Sequence, residues 1–183
     1  MKVSRQQVAE NRRKILDIAG KLFREKGFEA VSVADIMAGA GLTHGGFYGY
    51  FPSKDALIAH TLGAVAQNPK TPQESQDAFI ARYLSCAHKD NPGSGCPVAA
   101  LAGDVARMPP PVRTAMTAAL AGQLEQLAET AEGDTAQARR QNAIGTYAAL
   151  VGGLTLARMS NDETLSAEIL AATGAFLTGQ SQP

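Results

Sequence analysis

The residues able to do chemistry fall in two stretches. The first is "GLTHGGFYGYFPSKDAL", Gly41 to Leu57, where four aromatic residues and four glycines stand beside a hydroxyl, an imidazole and an ammonium. The whole chain holds six Phe, four Tyr and no Trp, so this one segment takes a large share of them. An interior glycine costs a helix about 1 kcal/mol against alanine. Glycine at this density suits a backbone that must come close to something, with Thr43, His44 and Tyr48 offering hydrogen bonds. The second stretch is "NPGSGCPVAALAGDVARMPPP", in which Cys96 follows a glycine and opens a predicted helix. A thiol at a helix start lies where the dipole favours an anionic, nucleophilic sulfur. Elsewhere the chemistry is sparse. His44, His60 and His88 share no ligand spacing, and neither a catalytic triad nor a phosphate-cradling glycine loop is present. No metal or cofactor is expected.

Helices must position both stretches. The chain of 183 residues is alanine-rich and 5% aromatic, with few alternating runs of β-branched residues, which favours an all-α fold. Ile15, Ile18, Ala19, Leu22 and Phe23 form one apolar stripe, and Gly27 supplies the helix stop. Ser32 caps a short second helix, with Asp35 completing a capping box and Val33, Ile36 and Met37 turned inward. Gly41 ends it. A third short helix runs from Thr43 to near Tyr50, Pro52 stops it, and Ser53 caps a fourth that begins at Lys54 and extends to Gln67. Further helices are expected over about 72–89, 96–107, 111–132 and 135–160, with a last one ending near Gly179, which makes about nine. Two short helices joined by a tight glycine turn are the layout of a helix-turn-helix, whose second helix enters the DNA major groove.

Charge agrees with that layout. Residues 1–54 carry 9 Lys and Arg against 5 Asp and Glu, and residues 55–183 carry 8 against 12. The net charge of zero thus hides a basic head suited to a polyanion. No segment reaches the roughly 18 apolar residues of a membrane span, and "MKVSRQQVAENRRK" lacks a signal peptide's apolar stretch. A cytoplasmic protein without membrane partners is expected, with Cys86 and Cys96 as free thiols.

The stretch from Ile15 to Leu57, "ILDIAGKLFREKGFEAVSVADIMAGAGLTHGGFYGYFPSKDAL", resembles the DNA-binding domain of the TetR (tetracycline repressor-like) family of bacterial transcriptional regulators. The likeness rests on the apolar first helix ending "LF…KGF", a small-residue second helix and the "G…FY.YF.SK..L" signature. It implies a helix-turn-helix DNA-binding domain over residues 1–53 and a helical effector-binding and dimerisation domain over 54–183. It also implies a homodimeric repressor on a palindromic double-stranded operator, released by a small-molecule or thiol-reactive effector. The alternative is a thiol-dependent enzyme using Cys96.

Under this resemblance Thr43, His44 and Tyr48 face bases and phosphates, and Gly45 and Gly46 allow the approach. Ser32 and Lys54 sit at helix starts that attract phosphate. Arg12 and Arg13 reach flanking phosphates, with Lys2 and Arg5 as a minor-groove arm. Phe47 and Phe51 are core wedges, and Tyr50 fits either role. Gly49 and Val33 depart from residues common in the family at those positions. Dimerisation falls to the last two helices, where Gly145, Gly152 and Gly153 permit close packing. Effector candidates are Cys96, Phe79, Tyr83, Met116, Leu120 and Tyr147, with Leu62 and Met108 beside them, and His88, Lys89 and Arg107 as cationic neighbours of Cys96. Some members of the branch that "GCPVAALAGDVAR" resembles sense electrophiles or oxidants through such a cysteine. For Cys96 a reactive role and plain packing both stay open, and Cys86 is read as packing.

Overall fold

The chain begins, after Ser4, with a helix whose ends are both chemically marked. In the computed structural model, which describes residues 4–66 and 74–179, α1 spans Arg5–Lys26. Ser4 Oγ accepts from Gln7 N–H at 3.1 Å to start it. Gly27, at φ +79°, turns the chain out of it, a conformation open to glycine at no steric cost. Ile15, Ala19 and Phe23 are wholly buried along one stripe, as the periodicity predicted. Arg5 is the first residue of this helix, so it is not part of a flexible arm, and Lys2 lies outside the described residues.

α2, Val33–Gly39, has the capping box read from its sequence: Asp35 N–H donates to Ser32 Oγ at 3.1 Å, and Ser32 N–H donates to Asp35 at 2.9 Å. Gly41, at φ +71°, makes the turn. The next element differs from expectation. His44–Gly49 is a 3-10 helix rather than an α-helix, closed by Gly46 N–H to Thr43 C=O at 3.0 Å and Tyr50 N–H to Phe47 C=O at 2.9 Å. Three of its six residues are glycine, the poorest helix former after proline, and the run is too short to propagate α-helix. Phe47 and Phe51 anchor it, each 1% exposed with ring centroids 6.0 Å apart. α3, Lys54–Ala66, follows, with Ser53 Oγ accepting from Ala56 N–H at 3.0 Å. Its expected extension to Gln67 lies outside the described residues.

The expected helix over 72–89 is two helices, α4 (Gln76–Tyr83) and α5 (Cys86–Asp90). Leu84 turns into the core, and Ser85, in extended conformation, caps α5 by accepting from His88 N–H at 3.2 Å. A 3-10 turn at Pro92–Ser94 leads to α6 (Pro97–Val105), then α7 (Pro110–Thr130), α8 (Ala136–Met159) and α9 (Glu163–Thr178). The described residues are helical and connecting segments throughout, so the all-α reading holds.

Two apolar cores result. One gathers α1, α2, the 3-10 helix and α3, and continues into Leu101 and Val105 of α6 and Val112 and Met116 of α7. The second joins α4, α7, α8 and α9 around Tyr147, Leu150 and Leu154. α3 lies on α1 and, more extensively, on α7, and so belongs to both halves. Each large side chain fully buried in these cores contributes about 1.5–3 kcal/mol.

Candidate DNA-reading surface and effector cluster

The reading surface stands on a rigid base. Tyr48 is 69% exposed, its ring set edge-on to buried Phe47 at 5.3 Å, so the phenol points outward from a fixed support. Thr43 and His44 are exposed beside it, and Thr43, though in the N-cap position, spends no side-chain hydrogen bond on the helix. A β-carbon added to Gly45 or Gly49 would meet nothing within 4 Å, and one on Gly46 would make only ordinary contact. None of the three has positive φ. Neither backbone strain nor crowding inside the subunit therefore calls for glycine here.

The basic residues are held in different ways. Arg13 is exposed, whereas Arg12 lies over the Phe51 ring at 4.9 Å, a cation–π contact that fixes its direction. Lys54 Nζ donates to the Phe28 carbonyl at 2.5 Å and is half-buried, tying the start of α3 to the loop after α1. Ser32 is exposed but its hydroxyl is engaged with Asp35, whose carboxyl the Ser32 hydrogen bonds hold below its usual range. Tyr50 is half-buried and its hydroxyl accepts from Asn11 Nδ2 at 3.0 Å.

The second assembly surrounds Cys96, the N-cap residue of α6. Its sulfur lies 3.2 Å from the Tyr147 hydroxyl, and its N–H donates to His88 Nε2 at 3.0 Å. His88 Nδ1 in turn donates to the Tyr83 carbonyl at 2.7 Å, which assigns the neutral tautomer, and burial pushes its pKa down. Tyr83 stacks edge-on against His88, centroids 4.7 Å apart, and lies 6.3 Å from the Tyr147 ring. Arg158 closes the group. Its Nε donates to the Lys89 carbonyl at 3.0 Å and its Nη2 to the His88 carbonyl at 2.6 Å. Burial raises both tyrosine pKa values, so both stay neutral hydroxyls. Gly95 is needed here, since a β-carbon would sit 2.6 Å from His88 Nε2.

Cys96 is also tied to the head. Arg24 of α1 donates through Nε to the Gly93 carbonyl at 2.8 Å and through Nη2 to the same oxygen. Phe28 N–H donates to Asp104 of α6 at 3.1 Å. The segment from Gly93 to Asp104 thus grips the end of α1 at two points.

A third feature is an uncovered apolar face. Ile144, Leu156 and Met159 on α8 and Leu165 and Phe176 on α9 are all exposed, Met159 and Phe176 by 76% and 81%. Gly145 and Gly152 open on the same side with no atom within 4 Å of an added β-carbon. Gly153 belongs elsewhere: an added β-carbon would lie 2.7 Å from Thr173 Oγ1, so it serves the packing of α8 on α9 within the subunit.

Comparison with known proteins decides the family. Residues 15–61 match the domain described as "Bacterial regulatory proteins, tetR family", and residues 75–173 match "Tetracyclin repressor-like, C-terminal domain". The chain belongs to the TetR family. Its first domain is the one that the family's bacterial regulatory proteins share, here the helix-turn-helix of α2 and the 3-10 helix. The chain is 38% identical over 56 residues to the transcriptional repressor KstR2 of Mycobacterium tuberculosis, 31% of this chain and 28% of that protein. It thus matches less than a third of that repressor's length. Two solved structures share the fold over nearly their whole length. The reduced form of NemR from E. coli has a TM-score of 0.72 at 22% identity, covering 95% of this chain and 98% of that one. A TetR-family regulator from Agrobacterium tumefaciens has a TM-score of 0.74 at 23% identity, covering 96% and 100%. Among the described residues no helix is long and apolar enough to cross a membrane.

Within this TetR fold the candidate residues separate clearly. Thr43, His44, Gly45 and Tyr48 share one exposed surface, with Gly46 half-buried beneath it. Cys96, Tyr83 and Tyr147 come together, and Phe79 adjoins them, its ring 5.7 Å from Tyr83. Leu120 packs at the edge of that core. Met116 does not join them: with Leu62 and Met108 it lies in or on the core shared with the head, because α7 turns this part of its length toward α3. Arg107 is exposed and paired with Asp104 at 3.2 Å, and Lys89 pairs with Glu163 at 2.8 Å, so neither side chain serves Cys96. Cys86 is exposed rather than buried, because α5 carries it on its outer side, and both cysteines are free. Arg158 and Asn11 were missed. A lone arginine late in a long helix gives no local signal, and Asn11 reads as one more polar residue of α1.

Proposed function

We propose that this chain is a homodimeric repressor whose two heads read a palindromic operator and let go when an effector engages the cluster around Cys96. The reading rests chiefly on the three glycines of the 3-10 helix. Nothing inside the subunit requires them, so the space they keep open serves something outside it, and a DNA groove is what a bare helix with exposed Thr43, His44 and Tyr48 fits. Thr43, His44 and Tyr48 then contact bases and the adjoining phosphates. Arg12, Arg13, the α2 start at Ser32 and the α3 start at Lys54 meet phosphates along the flanks. In this division residues 1–53 form the head and residues 54–183 the effector and dimer half, with α3 shared between them.

The exposed face of α8 and α9 supports a two-fold partner. Five large apolar residues on two adjoining helices are costly to leave in water, and the outward glycines admit a close neighbour. A family member with one reading helix per subunit needs such a partner to span two half-sites. For release, the grip of Arg24 on Gly93 and of Asp104 on Phe28 N–H gives the Cys96 loop a direct hold on α1, alongside the route through α3. NemR of E. coli, which shares this fold, is described as solved in a reduced form. That, and the Tyr147 hydroxyl 3.2 Å from the Cys96 sulfur, favour a thiol-responsive effector step here.

The test is a gel shift with the DNA upstream of the gene. Sequence-selective binding that survives competitor DNA at physiological salt is expected, whereas weak binding to any duplex would sink the reading. Treating the complex with an electrophile should release wild type and spare Cys96→Ser. Equal release of both would remove the thiol from the mechanism. Lys54→Met should weaken binding to all sequences alike, and His44→Ala should change which sequence is preferred.

A further inference from the structure

The cluster around Cys96 is rich in donors and short of acceptors. Among the described residues, two buried side-chain polar atoms have no hydrogen-bond partner, the Tyr83 hydroxyl and Arg158 Nη1. Both belong to this one cluster. Tyr83 is only 4% exposed, and its hydroxyl lies near the Cys96 sulfur without a hydrogen bond of ordinary geometry. Arg158 already spends Nε and Nη2 on the carbonyls of Lys89 and His88, which orient the guanidinium and leave Nη1 without a partner. The carboxylate with most influence on it, Asp90, is itself bonded to Lys89 Nζ at 3.2 Å. An unpaired buried donor costs about 1–3 kcal/mol, more when charged. Two such donors, one of them cationic, are complementary to an anionic oxygen.

We propose that this cluster is a binding site for a small organic carboxylate, held non-covalently by Arg158 Nη1 and the Tyr83 hydroxyl. The Tyr147 and Phe79 rings lie 6.3 and 5.7 Å from that of Tyr83, which suits an aromatic or short apolar body behind the carboxylate. The ligand would lie beside Cys96 without reacting with it. His88 is held neutral by burial, so the ligand's charge is answered by Arg158 rather than by the imidazole. The inference rests on the reading of this cluster as the effector site and goes beyond its thiol step by naming a non-covalent ligand class.

Calorimetric titration of the full-length, DNA-free protein with sodium benzoate and sodium acetate, with benzamide as the neutral match, tests it. At least one carboxylate is expected to bind saturably, and benzamide about ten-fold or more weakly, as a lost charged hydrogen bond implies. Tyr83→Phe and Arg158→Gln should each cost the carboxylate about ten-fold. Because the Tyr83 hydroxyl has no partner to lose, Tyr83→Phe should melt no lower than wild type. This keeps the test sound even if Arg158→Gln folds poorly. Failure of both carboxylates to bind, equal binding of benzamide, or undiminished binding by Tyr83→Phe would each overturn the proposal. DNA binding is scored separately by gel shift, so failure here leaves the regulator reading standing, and the reverse.

Discussion

The head and the effector half solve opposite placement problems. The groups proposed to read bases lie close together in sequence, Thr43 to Tyr48, on a short element held by Phe47 and Phe51 and turned outward. The groups around Cys96 come from α4, α5, the start of α6 and two turns of α8, and they face inward. The head leaves Thr43, His44 and Tyr48 exposed over an apolar base. The cluster spends its backbone carbonyls on orienting a buried cation and leaves donors over. A surface that must fit a foreign helix is thus built by local pattern, and a site that must sense a small molecule by convergence of distant segments.

Breaking the base of the head should have the largest effect. Phe47→Ala is expected to cost about 3–5 kcal/mol of stability and to abolish DNA binding, seen as a lower urea midpoint and no gel shift. Next comes the uncovered face. Phe176→Asp should weaken the dimer by two orders of magnitude or more, about 3 kcal/mol, in sedimentation equilibrium, and operator affinity should fall with it. An unchanged oligomeric state would place the two-fold contact elsewhere.

A sharper test separates reading from folding. Gly45→Leu has open space around it and replaces a poor helix former, so its melting temperature should hold or rise slightly, while operator affinity drops roughly ten-fold or more. Loss of stability without loss of affinity would show that the glycine serves the fold. The smallest effect is a pH response confined to the effector half. Burial holds the pKa of folded His88 below the unfolded value near 6.5. The unfolded chain therefore takes up a proton that the folded one refuses. His88 thus stabilises fully above about 6.5 and loses that contribution as pH falls below it. Thermal melts of wild type between pH 7.5 and 5.5 should show this loss, and His88→Gln should flatten that part of the profile.

Much of the head was legible in advance because its signals are local. The Ser32–Asp35 box, the stop at Gly27, the Ser53 cap and the Phe47 and Phe51 wedges each depend on residues a few positions apart. Two details escaped. The 3-10 form of His44–Gly49 depends on how six residues are strung between Gly41 and Pro52, and the break at Leu84 depends on a core position that draws the side chain inward. In the effector half Cys96, Tyr83 and Tyr147 stood only as separate candidates in a set that included Met116, which packs in the core shared with the head.

The chain by itself determined that it is helical, where its caps and stops fall, and that the reading segment is a bare, glycine-lined helix, because hydrogen bonds of three or four residues' reach decide those things. Only the tertiary structure decided that Arg158, Tyr83 and Cys96 share a cluster, that Lys54 reaches the Phe28 carbonyl, and that Gly153 serves α9 rather than a partner. Those facts follow from how helices pack, and packing joins residues whose separation in sequence carries no pattern.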